Sequence, residues 1–125
     1  MKIAVLIARI LLGLEFVIFG LNGFLGFLHM PPPQGIAGQF LGAIFVSHYS
    51  VLIFGLQLIS GLLLLSGRYV PLAVAILAGI LVNVVAFHAT MAPAGLPLAL
   101  ITVILWFVVF YSVRRAFAGI FAARV

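Results

Sequence analysis

Four long apolar runs, at residues 3–28, 49–66, 70–87 and 97–113, take up most of this chain. A helix needs about 20 apolar residues to cross the hydrocarbon core of a bilayer, at about 1.5 Å of rise each. Each run has roughly that length, and each is bounded by a helix breaker or starter. Met30-Pro31-Pro32-Pro33 closes the first, because proline cannot continue a helix. Gly67 offers a stop for the second. Pro71 and Pro97 sit in the first turns of the third and fourth, where a missing N–H costs nothing. The pattern predicts an all-α transmembrane four-helix bundle in a single domain over residues 1–125.

Composition excludes the soluble alternative. Hydrophobic residues make up 67% and charged residues 6% of the 125-residue chain, against about a quarter charged in soluble domains. A soluble fold this small buries only a modest share of its surface and could not hide so much apolar area. Lipid removes the difficulty by solvating apolar side chains directly, so membrane lipid is the first expected partner. The net charge of +5 does not point to nucleic acid. Lys2, Arg9, Arg68, Arg114, Arg115 and Arg124 sit at or near the ends of apolar runs, with no basic cluster on a polar surface. The chain has no cysteine, which excludes disulfides and thiolate-held metal clusters. Lys2 ahead of an apolar run resembles a signal peptide. Arg9 and Glu15 interrupt that run and no small-x-small cleavage site follows, so the segment is expected to be retained.

The basic residues also set an orientation. Lys2, Arg68 and the Arg114/Arg115 pair mark the N-terminus, the second loop and the C-terminus of a multi-pass protein as cytoplasmic. Residues 28–50 and 88–96 carry no Lys or Arg and are expected outside. Tyr49, Tyr69 and Tyr111 fall near the expected interfaces. Residues 34–46 are apolar but too short to span, and fit a short interfacial or re-entrant helix between spans one and two. Gly38 and Gly42 within it form a small-xxx-small pair that permits close helix approach. The tail from Arg114 to Val125 sets three arginines beside Phe117, Ile120 and Phe121, a pattern for continuing the fourth helix or lying on the inner leaflet.

Ionisable and amide groups inside spans are costly, which makes them candidates for function. Glu15, the only acid in the chain, falls near mid-membrane in the first span. Asn22, two helical turns on, shares its face. Arg9 is a candidate charge partner through bundle packing, since a six-residue gap does not align it with Glu15 along one helix. Gln57 with Ser60 and Gly61, then Asn83, His88 and Thr90, add polar positions in or beside spans two and three. Gln57 and Asn83 equally suit hydrogen bonds that cross-link helices, worth about 0.6 kcal/mol each. His29, His48 and His88 fall on one side of the membrane and are weak candidates for a metal or haem site; their spacing is no local motif, and no metal is expected. The chain has no Walker loop, dinucleotide fingerprint, carboxylate pair or catalytic triad, so no self-contained catalytic motif is present and whether it is an enzyme stays open.

The order of these features resembles the DoxX family of small four-helix bacterial membrane proteins. The matching stretches are Arg9-x3-Gly13-x-Glu15-Phe16-x2-Phe19-Gly20-x2-Gly23, Gln57-Leu58-Ile59-Ser60-Gly61-x5-Gly67, and Asn83-x3-Phe87-His88 followed by Ala92-Pro93-Ala94-Gly95. Many members of that family carry Glu where this chain has Gln57, so any proton-transfer role of that carboxylate does not carry over. The resemblance implies a four-helix bundle and an association with membrane redox complexes, since the family takes its name from a subunit associated with thiosulfate:quinone oxidoreductase. On that basis the first expectation is an accessory or anchor subunit of a membrane oxidoreductase assembly, with no cofactor of its own and electrons drawn from a protein partner. It would contribute to a quinone pocket built from Glu15, Asn22, Gln57, Asn83 and His88, with Trp106 as a wall. The alternatives are an oligomeric small-solute transporter or channel with Glu15 on the path, and a purely structural membrane subunit.

Overall fold

The computed structural model describes residues 2–28 and 33–124. Every secondary-structure element among them is helical: α1 (Lys2–Leu25), α2 (Gly35–Val46), α3 (Tyr49–Ser66), α4 (Val70–Thr90) and α5 (Leu96–Ser112), with 3₁₀ turns at Pro93–Gly95 and Arg114–Phe117. Four of the helices are long and apolar enough to cross a membrane. Helices are what such sequences must form in lipid, where no water satisfies the backbone. The protein is an all-α, multi-pass membrane four-helix bundle.

Local chemistry places the helix ends. Gly26, left-handed at φ 63°, turns the chain out of α1, so the first helix stops at Leu25, a few residues short of the sequence boundary. Gly67, left-handed at φ 72°, ends α3 and returns its N–H to the carbonyls of Leu63 and Leu64. At the far end of α4 the helix runs a turn past residue 87, to Thr90. His88 and Thr90 therefore lie inside the helix instead of following it. Thr90 Oγ1 donates to the carbonyl of Ala86 at 2.7 Å, and His88 Nδ1 lies 2.8 Å from the carbonyl of Val84. Both polar side chains are thus satisfied by their own helix and do not unwind it. The tail does not extend α5 as an α-helix; it turns into 3₁₀ after Val113, and Phe117 folds back on Phe110 with ring centroids 5.4 Å apart.

Short turns make α3, α4 and α5 successively antiparallel, and the four spans close into a ring in which α1 packs on α3, α3 on α4, α4 on α5 and α5 on α1. The α1–α3 seam is the most extensive, and glycines explain why. A Cβ on Gly61 would lie 2.7 Å from Val17 N, and one on Gly20 would lie 2.8 Å from Leu58 N. With no side chain there, the two backbones touch. The α2 glycines behave differently: Gly42 has nothing near it, and Gly38 faces only the carbonyl of Pro33 in its own first turn, so this pair does not seat a neighbouring helix.

The main hydrophobic cluster lies toward one half of the bundle, with Ala8, Leu12 and Phe16 of α1, Leu64 of α3, Ala73, Val74, Leu77 and Leu81 of α4, and Val109 of α5, while Ala37 and Ala99 are buried outside it. Because the helices alternate in direction, that half also carries the start of α1, the α3–α4 turn and the end of α5. Lys2, Arg68, Arg114 and Arg115 accordingly all fall at one end of the molecule. The opposite half is looser. There α2 lies against α3 and reaches α4 through Phe40 and Phe87, whose rings are 5.5 Å apart.

Candidate functional site

The loose half contains a cavity of about 840 Å³ between α2, α3 and α4. Its walls are mostly apolar, with Phe40 and Ile44 from α2, Ile53 and Phe54 from α3, and Ile80 and Phe87 from α4. Three amide or imidazole side chains line it, Gln57, Asn83 and His88, together with the hydroxyl residues Tyr49 and Thr90. Volume, apolar walls and a few polar groups are the usual make-up of a small-molecule pocket.

Gln57 is the most informative of the three. It is only 7% exposed, and its amide makes no hydrogen bond to another protein group among the described residues. Asn83 is also not a helix cross-link: its Nδ2 donates to the carbonyl of Gly79 one turn back on α4, at 2.8 Å. The side-chain oxygen of Asn83 keeps its accepting capacity. The ring of His88 is held by Val84 through Nδ1, which must carry the proton because a carbonyl can only accept. In the neutral ring this leaves Nε2 as an acceptor. A Cβ on Gly95 would collide with the His88 ring, so glycine at that position lets the α4–α5 turn close over the histidine.

The other sequence candidates lie elsewhere. Glu15 faces α5, where its Oε2 is 2.6 Å from Thr102 Oγ1. Thr102 also lies 3.0 Å from the carbonyl of Leu98, and its single hydroxyl proton must be shared between the two. The expected charge pair is not formed: no salt bridge joins Glu15 to Arg9, and Arg9 Nη1 instead donates to the carbonyl of Leu64 at the end of α3. A guanidinium there meets the carbonyl-rich, partially negative end of the helix. Asn22 accepts the backbone N–H of Leu28 at 2.7 Å and so ties down the turn that ends α1. Trp106 is no wall of the cavity. Its indole donates to the carbonyl of Val74 at 3.0 Å, which ties α5 to α4 in the packed half, and its ring stacks on Phe110. Ser60, fully buried on α3, has no hydrogen-bond partner for its hydroxyl.

The structure therefore divides the expected pocket. Gln57, Asn83 and His88 share a cavity; Glu15 sits on the α1–α5 seam, while Asn22 and Trp106 hold helices in place. No group of three or more His, Cys, Asp or Glu is placed to hold a metal ion among the described residues. His48 caps the start of α3, and His29 lies outside the described residues. Thr102 is the functional neighbour that the sequence reading missed. Its signal was a lone hydroxyl in the middle of the apolar run 96–111, at a depth matching Glu15.

No family model, curated protein or solved structure matches this chain. Gly13, Gly20 and Gly61 form the α1–α3 seam, and Gln57, Asn83 and His88 line one cavity.

Proposed function

We propose that this chain is a DoxX-like accessory subunit of a bacterial plasma-membrane oxidoreductase assembly, and that its cavity receives the head group of a quinone. The observation that carries this reading is Gln57, a largely buried residue whose amide has no hydrogen-bond partner among the described residues, on the wall of an apolar cavity of about 840 Å³. A quinone supplies what that wall lacks: a flat apolar ring that fills the space between Phe40, Phe54 and Phe87, and a carbonyl oxygen to accept from the Gln57 amide. The Asn83 side-chain oxygen is an acceptor for a hydroxyl of the reduced form, and the His88 ring adds to the wall beside it. In this reading the electrons come from a partner carrying flavin, haem or iron–sulfur. Both termini lie in the cytoplasm, following the basic end of the bundle.

The test uses the purified full chain and a short-chain quinone. The quinone is expected to raise the thermal midpoint of the wild type and to leave Gln57→Leu unmoved. Equal shifts in both, or none at saturation, would remove quinone from this cavity. Native mass spectrometry after extraction from the source membrane checks the assembly. Co-isolation with a redox subunit supports it, and a homo-oligomer free of such a partner refutes it.

A further inference from the structure

A second concavity, of about 400 Å³, opens at the basic end of the bundle between the start of α1 and the end of α5. Lys2, Val5, Leu6 and Arg9 line it from one side, and Tyr111, Ser112 and Arg114 from the other. The α1 residues follow the i, i+3, i+4, i+7 spacing that puts side chains on one helix face, so Lys2 and Arg9 stand two turns apart on the same wall. Three cations thus converge from two helices on one groove.

Two of these cations are already held. Arg114 Nη1 donates to the carbonyl of Tyr111 at 2.7 Å, and its guanidinium stacks 3.9 Å above the Tyr111 ring. Arg9 is fixed by the carbonyl of Leu64. A guanidinium has five N–H donors, so each keeps free donors after its protein bond. No side-chain carboxylate among the described residues neutralises the group: the only acidic side chain in the chain is Glu15, which is engaged with Thr102. Glu15 also lies six residues beyond Arg9, about 9 Å further along α1.

We infer that this groove binds the headgroup phosphate of an anionic phospholipid. The position favours a lipid over a soluble anion. The groove lies at the end of four membrane-spanning helices, its floor is the apolar pair Val5 and Leu6, and Leu6 is half exposed beside it. A phosphate between Arg9, Arg114 and Lys2 would leave its acyl chains running down the α1–α5 seam toward mid-membrane. Basic pockets between helices at the membrane surface recognise acidic headgroups in this way. Pre-placed arginines reduce the ordering that binding must impose.

The experiment is native mass spectrometry of the delipidated full chain offered phosphatidylglycerol or phosphatidylcholine at equal concentration. Phosphatidylglycerol is expected to be retained over phosphatidylcholine. Lys2→Gln and Arg114→Gln are each expected to lower that retention about fivefold, the factor for one basic residue near the surface. Arg68→Gln and Arg115→Gln, at the same end but outside the groove, are expected to change it little. Arg9 is left intact because it also closes α3. Equal retention of the two lipids overturns the inference. So does an equal loss in the Arg68 and Arg115 variants, which would mean diffuse surface charge. Displacement of the lipid by millimolar inorganic phosphate would make the groove a soluble-anion site and overturn it too.

Discussion

Adding one methyl group at Gly61 should separate α1 from α3. The new Cβ would lie 2.7 Å from Val17 N and 2.8 Å from both the carbonyl oxygen of Gly13 and Val17 Cγ2. Non-bonded heavy atoms settle at about 3.5–4.0 Å, so α1 must withdraw by about 0.8 Å or more. A gap of that size forfeits about a quarter to a half of each contact's dispersion well. The shift acts along the longest seam in the bundle, and two of the three nearest atoms are backbone, which no rotamer change can move. Overpacking of this kind costs about 1–3 kcal/mol, and Gly61→Ala belongs at the upper end. Gly20→Ala meets Leu58 N at 2.8 Å and Leu58 Cα at 2.9 Å, and should cost a similar amount. The double variant should cost less than the sum, because one withdrawal relieves both clashes. Gly42→Ala is the control: it meets nothing within 4 Å, and better helix propensity should leave it unchanged or more stable by up to about 1 kcal/mol. Equilibrium unfolding in mixed micelles of rising SDS fraction, followed by helical circular dichroism, measures all four. The packing account is wrong if Gly61→Ala unfolds with the wild type, or if Gly42→Ala loses as much as Gly61→Ala.

Gly95→Ala should destabilise the α4–α5 turn through its collision with the His88 ring, and adding His88→Ala should restore part of the loss; a double-mutant cycle showing no coupling would refute the contact. Thr102→Val should cost about 1–3 kcal/mol, because it takes from Glu15 its hydrogen-bond partner among the described residues, whereas Glu15→Gln keeps a side chain able to bond Thr102 and should cost less; the reverse order in the same unfolding assay would exclude this role for the hydroxyl. Arg9→Met should cost about 1.5–3 kcal/mol by losing the bond to the carbonyl of Leu64, and Glu15→Gln should not alter that loss; a strong dependence on Glu15 would mean the two are paired after all.

The fold was legible because each level of the sequence agreed with the others. Run length, proline placement and the missing charges each demanded spanning helices, and lipid permits few other structures. The span 49–66 matches α3 at both ends because Gly67 supplies its left-handed stop. The end of α4 was harder to read, since His88 and Thr90 look like loop residues until their bonds to Val84 and Ala86 are seen.

The candidate site was legible only in part. The sequence alone determined which polar groups stand in the membrane and roughly at what depth, because helical rise converts residue number into position along the axis. It could not determine which of them share a space. That depends on how each helix is rotated about its own axis, and the apolar faces of these helices are too uniform to reveal it. Tertiary packing made the choice. Gly20 and Gly61 draw α3 onto α1, which turns Gln57 away from Glu15 and toward Asn83 and His88 on α4. The same packing brings Thr102 to Glu15, sets Trp106 on Val74, and places Arg9 over the end of α3. Depth is a property of one helix, whereas a shared cavity is a property of three helices packed together.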